Sequence, residues 1–165
     1  MREAGSRAFQ VRAQPVTPTM SLAHPDLDPV WAAASDLGMA AVFHIGGART
    51  EVDQGWFFNG GSPGHFALLH LVAGSTAPQV AMAAMLIEGA FERHPGLVLI
   101  VEELGITWLP HFLTTIDSIT TGPHGANFGM AGGDYRLPLK PSEYMRRQVR
   151  VTPLVSSDPI DAVWG

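Results

Sequence analysis

The sequence contains no cysteine. That excludes a disulfide framework and a thiolate metal site, so any metal would have to be held by histidine and carboxylates. Lysine is almost missing as well: Lys140 is the only one, and the other nine basic residues are arginine, which reads as codon composition rather than chemistry. Charge is scarce overall. Charged residues make up 15%, against roughly 25% in an average soluble domain, so much of the chain must be buried. Ten Lys+Arg stand against 15 Asp+Glu, a formal net charge of -5, which excludes nucleic-acid binding through a basic face. No apolar run approaches the roughly 20 residues that span a bilayer. The start, Met1-Arg2-Glu3-Ala4-Gly5, lacks the apolar core of a signal peptide. A cytoplasmic protein with no membrane partner is expected.

Several functional motifs are absent too. Gly60-Gly61-Ser62-Pro63-Gly64 has neither the lysine of a phosphate-binding loop nor dinucleotide spacing. No nucleophile elbow is present. His65 and His70 would lie about 140° apart on a helix, so they are not the zinc pair of a metalloprotease.

What is there is a chain of 165 residues, 46% of them hydrophobic. This suffices for one domain with a core, leaves too little for two, and excludes disorder as the default state. The 18 Gly and 13 Pro imply many turns or long loops. Ser6 to Ala13 alternates as a strand does. Asp28-Pro29 is expected to cap and open a helix that buries Val30, Trp31, Ala34 and Leu37 and stops at Gly38. Met39 to Ile45 fits a strand buried on both faces. A long Gly-rich loop, 46–63, carries Trp56-Phe57-Phe58, and residues 65–73 read as helical. Ser75 or Thr76 caps a helix predicted to run to Arg93 and end at His94-Pro95-Gly96.

Leu97 to Val101 is a further buried strand running into Glu102-Glu103. Leu109, Phe112, Leu113, Ile116 and Ile119 make one helical face, closed by Gly122-Pro123. A second long loop, 124–141, precedes a short helical turn at Ser142 and a last strand from Gln148 to Leu154. Strands alternating with helices predict an α/β fold with a parallel sheet. Two architectures share this pattern, the open doubly wound sheet and the (β/α)8 barrel, and four strands complete neither. A barrel takes about 250 residues.

In both architectures sites lie at the C-terminal ends of the strands. One strand ends at His44, followed by Gly46-Gly47, and another at Glu102-Glu103. A neutral imidazole is a good zinc ligand, and a carboxylate serves as ligand or proton carrier. By residue type alone, His44 is more often a hydrogen-bonded core histidine, and the glutamates a solvated strand end. Alternation puts Glu102 on the face of Val98 and Ile100, and Glu103 on that of Leu99 and Val101. Arg146, Arg147 and Arg150 read as a solvated face or a carboxylate clamp. Trp56 and Phe57 read as loop packing, a subunit contact or a substrate lid.

Five stretches carry a resemblance. They are His24-Pro25-Asp26-Leu27-Asp28-Pro29-Val30-Trp31, Val42-Phe43-His44, Gly89-Ala90-Phe91-Glu92-Arg93-His94-Pro95-Gly96-Leu97, Glu103-Leu104-Gly105-Ile106-Thr107-Trp108-Leu109-Pro110, and Leu137-Pro138 to Pro141-Ser142-Glu143-Tyr144. In this order they resemble the amidohydrolase-related proteins. The resemblance is to the branch that holds aminocarboxymuconate-semialdehyde decarboxylase, and it covers about Arg7 to Val163.

The resemblance implies a (β/α)8 barrel with a divalent metal, usually zinc, and a small carboxylated or cyclic substrate. His44 matches the fifth-strand metal ligand. Glu103, or less well Glu102, stands where the family's sixth strand ends in a proton-handling histidine. Apart from the resemblance, Trp56 and Phe57 are expected to contact substrate if their loop is a lid. The chain holds no His-x-His, and Asp158 in Ser157-Asp158-Pro159 follows the seventh strand directly, so it is expected to be a loop residue. Residues 1–165 are thus expected to be a single partial domain, about strands 4 to 7 of a barrel. The expected function is a fragment of a metal-dependent hydrolase. A non-oxidative decarboxylase, or a catalytically incomplete scaffold, is the alternative. Half a barrel is expected to form a homodimer or to pair with a missing half, and to be inactive alone.

Overall fold

The two most apolar runs of the chain form the middle of a four-stranded sheet. They do so in a computed structural model that describes residues 2–44, 67, 76–121, 136–154 and 158. The strands are β1 (Ala8–Val11), β2 (Ala40–His44), β3 (Val98–Glu102) and β4 (Val149–Val151). They lie in the order β1-β2-β3-β4, and every pair is parallel. This separates the two architectures the sequence left open. A doubly wound sheet reverses its strand order at a switch point, whereas a barrel adds each new strand on the same side. The unbroken order is that of four consecutive units of a (β/α)8 barrel. Right-handed crossovers then put all the helices on one face.

The register shows what each face does. Phe9, Ala41, Leu99 and Val149 form one row across the sheet, and Val11, Phe43, Val101 and Val151 the next. These rows face the helices. Phe43, Leu99 and Val101 are fully buried, in one cluster with Trp31, Met82, Met85, Leu86, Phe91 and Tyr144. Each such side chain stabilises the fold by about 1.5–3 kcal/mol. The opposite face carries Ala40 with Val98, then Gln10, Val42, Ile100 and Arg150, then His44 with Glu102. It is only partly covered: Val42 is buried, but Ile100, His44 and Glu102 are half-exposed. β2 is thus buried on both faces through Ala41, Val42 and Phe43, as expected for Met39 to Ile45, whereas β3 keeps Val98, Ile100 and Glu102 half-buried on its second face.

The helices are α1 (Asp28–Asp36), α2 (Ala77–Ile87), α3 (Ala90–Arg93), α4 (Leu109–Thr121) and α5 (Pro141–Gln148). Several differ from expectation. Asp28 is not a cap, because a 3-10 turn over Pro25–Leu27 leads into α1 and the Asp28 carboxylate is bound elsewhere. Trp31 and Ala34 are buried, while Val30 and Leu37 stay about half exposed. The predicted long helix to Arg93 breaks at Gly89, whose φ of 79° ends α2 and opens α3. A Cβ there would sit 3.1 Å from Leu137. The turn at Ser142 is a full helix starting at Pro141, because Asp117 accepts bonds from both the Ser142 amide and its hydroxyl, at 2.9 and 2.6 Å. Gln148 ends that helix instead of opening β4. Its amide is buried and donates to the carbonyls of His94 and Leu97. The predicted loop 46–63 and most of the helix 65–73 lie outside the described residues. Among the described residues, no helix is long and apolar enough to cross a membrane.

Candidate functional site

β2 and β3 run parallel and in register, so their last residues arrive side by side: His44 pairs with Glu102. Alternation puts both on the face turned away from the helices. The strand then ends, and Glu103 takes a φ of 61°. Among the described residues it is the only non-glycine with positive φ. A left-handed conformation costs a β-carbon residue roughly 1–2 kcal/mol. It also re-aims the side chain. Glu103 would otherwise point with Leu99 and Val101 into the helical core. Instead its Oε2 lies 3.1 Å from His44 Nε2.

The two side chains are 42% and 53% exposed, so the pair opens to solvent and to any molecule held there. It is a hydrogen bond when the imidazole is neutral and an ion pair when it is charged. The backbone around Glu103 is fixed from several directions. Its amide donates to Thr152 Oγ1 at 3.4 Å, and that hydroxyl donates to Val101 O at 3.3 Å. Trp108 Nε1 donates to Gly105 O at 2.8 Å. Asp158 Oδ2 accepts from the amides of Ile106 at 3.0 Å and Leu154 at 2.7 Å.

Of the expected site residues, the structure brings His44, Glu102 and Glu103 together at one sheet end. Trp56 and Phe57 lie outside the described residues, as does Gly46-Gly47. Arg146, Arg147 and Arg150 are all exposed, and Arg150 Nη1 reaches the carbonyls of Arg146 at 3.4 Å and Arg147 at 3.5 Å. Arg147 stacks over the Tyr144 ring at 5.1 Å and donates to Phe91 O, so it braces α5 against α3. Arg150 extends from β4 on the opposite face of the sheet and donates to Val149 O at 2.9 Å. Asp158 does lie in a loop, but it is buried, and the sequence reading missed its two backbone bonds. The signal was Asp-Pro placed just past a strand end, where an acidic side chain bonds nearby amides.

A divalent ion fits this corner in part. Two ligands of a tetrahedral zinc, each at 2.0–2.2 Å, are about 3.4 Å apart, close to the observed His44–Glu103 separation. The donors, one imidazole and one carboxylate, are of the kind zinc takes. Among the described residues, however, no group of three or more potential ligands exists. The pair supplies at most two corners.

Comparisons with known proteins bear on the fold and the family. No curated protein matches the sequence. Among solved structures, the chain is similar to an amidohydrolase from Mycobacterium avium subsp. paratuberculosis K-10. The TM-score is 0.69 at 25% identity, over 98% of this chain and 38% of that one. It is also similar in fold to a 5-carboxyvanillate decarboxylase from Sphingomonas paucimobilis, with TM-score 0.63 and 23% identity over 88% of this chain and 39% of the other. A 2,6-dihydroxybenzoate decarboxylase gives TM-score 0.56 and 20% identity, over 82% of this chain and 38% of its own. The chain thus spans well under half the length of these proteins. The amidohydrolase family model matches residues 1–131, which takes in β2 with His44, β3, and Glu103 just after it, and the chain belongs to the amidohydrolase family.

Proposed function

We propose that this chain carries part of the active site of a metal-dependent hydrolase for a small carboxylated or cyclic substrate. The observation that supports it is the contact between His44 Nε2 and Glu103 Oε2 at the C-terminal ends of adjacent parallel strands. His44 is the metal ligand in this reading, with zinc the ion its donor chemistry suits best. When bound, such an ion acts as a Lewis acid toward a substrate oxygen or water. Glu103 is the general base and then acid: its Oε2 takes a proton from the attacking water and returns it to the leaving group. Glu102, one residue back and in register with His44, lines the same mouth. Trp56 and Phe57 are proposed to contact substrate.

Decarboxylation is the alternative on the same residues. There the carbon–carbon bond to the carboxylate breaks, its electron pair stays on the carbon, and protonated Glu103 supplies the proton. A glutamate can give a proton as well as take one, so the pair serves either reaction. With two corners of a site at most among the described residues, the isolated chain is expected to turn over neither class of substrate. A non-catalytic role in association is the second reading. The outer sides of β1 and β4 have no strand partner among the described residues, and open parallel edges favour pairing with a second copy or a remaining barrel half.

Calorimetric titration of the full chain with zinc tests the metal assignment. His44→Ala should bind at least about tenfold more weakly than wild type, about 1.4 kcal/mol. Equal affinity would remove His44 from the site.

A further inference from the structure

Asp158 is the only acidic residue that is buried among the described residues, at 7% exposure. A buried carboxylate is costly unless it accepts hydrogen bonds. This one accepts two, both on Oδ2: from Ile106 N, in the loop after β3, and from Leu154 N, in the segment after β4. Its own amide donates to Leu154 O at 2.8 Å. One oxygen atom therefore ties together the ends of two neighbouring strands.

The loop it holds is the one that carries Glu103. Residues 103 and 105 both have positive φ, 61° and 69°. Gly105 is more than permissive here. A Cβ on it would lie 3.0 Å from each carboxylate oxygen of Asp158, so the absence of a side chain is what lets the carboxylate reach Ile106 N. The incoming end of the loop is set by the Thr152 bonds to Val101 and Glu103. With both ends fixed, Glu103 is kept in the conformation that aims it at His44, despite the cost of the left-handed backbone.

We infer that Asp158 is a positioning residue: it acts through Ile106 and the 103–106 turn to hold the Glu103 carboxylate on His44 Nε2. This rests on the pair being the functional unit proposed above. It also makes a specific chemical demand. Both bonds go to one oxygen, so an acceptor is needed but a charge is not, and the amide of Asp158→Asn can replace it.

The test is the tautomer of His44 in the full, metal-free chain, where no ion competes for Nε2, read from ring-15N spectra at a pH where imidazole is neutral. The His44 signal is assigned by its loss in His44→Gln. Glu103 accepting from Nε2 holds the proton there. Wild type and Asp158→Asn should show the same excess of the Nε2–H form. Asp158→Ala should show a several-fold smaller ratio, equal to that of Glu103→Ala. Gly105→Ala, which pushes the carboxylate away from the opposite side, should do the same and serves if Asp158→Ala does not fold. A lower melting temperature in Asp158→Ala or Gly105→Ala with the wild-type tautomer ratio would make Asp158 merely structural. Loss of the ratio in Asp158→Asn as well would also overturn the inference. If Glu103→Ala itself leaves the ratio unchanged, the pair fails, and the proposed function fails with it.

Discussion

Glu103 shows at a single residue how function and stability pull apart. Its left-handed backbone is unfavourable for any residue with a β-carbon, and glycine would adopt it freely. Glu103→Gly should therefore stabilise the chain by about 1 kcal/mol in urea unfolding while removing the carboxylate that carries the proton. A destabilised variant would mean the turn is not strained. The pair was only half legible in the sequence. His44 and the two glutamates stood out because both ended apolar strands. Which glutamate meets His44 was not decidable from alternation, because period 2 stops at the strand end and says nothing of a positive φ one residue later. The family resemblance favoured Glu103, and the turn geometry shows how it gets there. From the sequence, Asp158 reads as a loop residue. Its importance lies in backbone amides brought close by the fold, and these leave no mark on side-chain pattern.

Between the elements, α1 and α3 are joined through one carboxylate. Asp28 accepts from Arg93 Nε at 2.9 Å and from Arg93 Nη2 at 3.0 Å, and His94 Nε2 lies 3.0 Å away. Arg93 also donates to the carbonyls of Ala23 and Glu88. The hydrogen bonds and charge of Arg93, with His94 adding to them, hold the Asp28 carboxyl below its ordinary pKa of 3.8, against the opposing effect of burial. The folded state then binds fewer protons than the unfolded one in that window, so stability rises with pH through it. The contribution is fully present above about pH 4 and is lost as pH falls through the lowered value. Asp28→Ala should cost about 1–2 kcal/mol near neutral pH, and the gap in melting temperature from wild type should close in strong acid. A gap that stays constant would assign the loss to packing.

A second joint follows the same logic. Tyr144 is fully buried and donates to Glu92 Oε2 at 2.7 Å, and burial, with that bond, pushes its hydroxyl up to about 12. Gly89, which splits α2 from α3, sits under Leu137, so Gly89→Ala should destabilise by about 1–2 kcal/mol, measured by thermal unfolding. Helix faces and strand cores were legible from periodicity. The break at Gly89 was not, since an apolar stripe continues through Ala90 and Phe91 on either side of it.

At the scale of the molecule, strand order did what sequence alone could not. Alternating strands and helices fit two architectures, and only the unbroken parallel order selects the barrel. The two faces of the sheet are then unequal: one is sealed by helices, and the other holds half-exposed Ile100 and Val98 beneath the His44 row. An apolar groove of about 450 Å³ lies on the outside of β1, between it and α1, lined by Phe9, Pro29, Val30, Leu37 and Met39. It is remote from His44 and belongs to the edge, not to the chemistry. Under the association reading, sedimentation velocity at micromolar concentration should show species heavier than the 17.7 kDa chain. A single monomeric boundary would contradict that reading.

The most direct test of the site is anomalous diffraction from a crystal of the full chain soaked in zinc. A peak is expected about 2.1 Å from His44 Nε2, within reach of Glu103, that vanishes in His44→Ala. A zinc ion bound elsewhere, with His44 and Glu103 still in mutual contact, would contradict it.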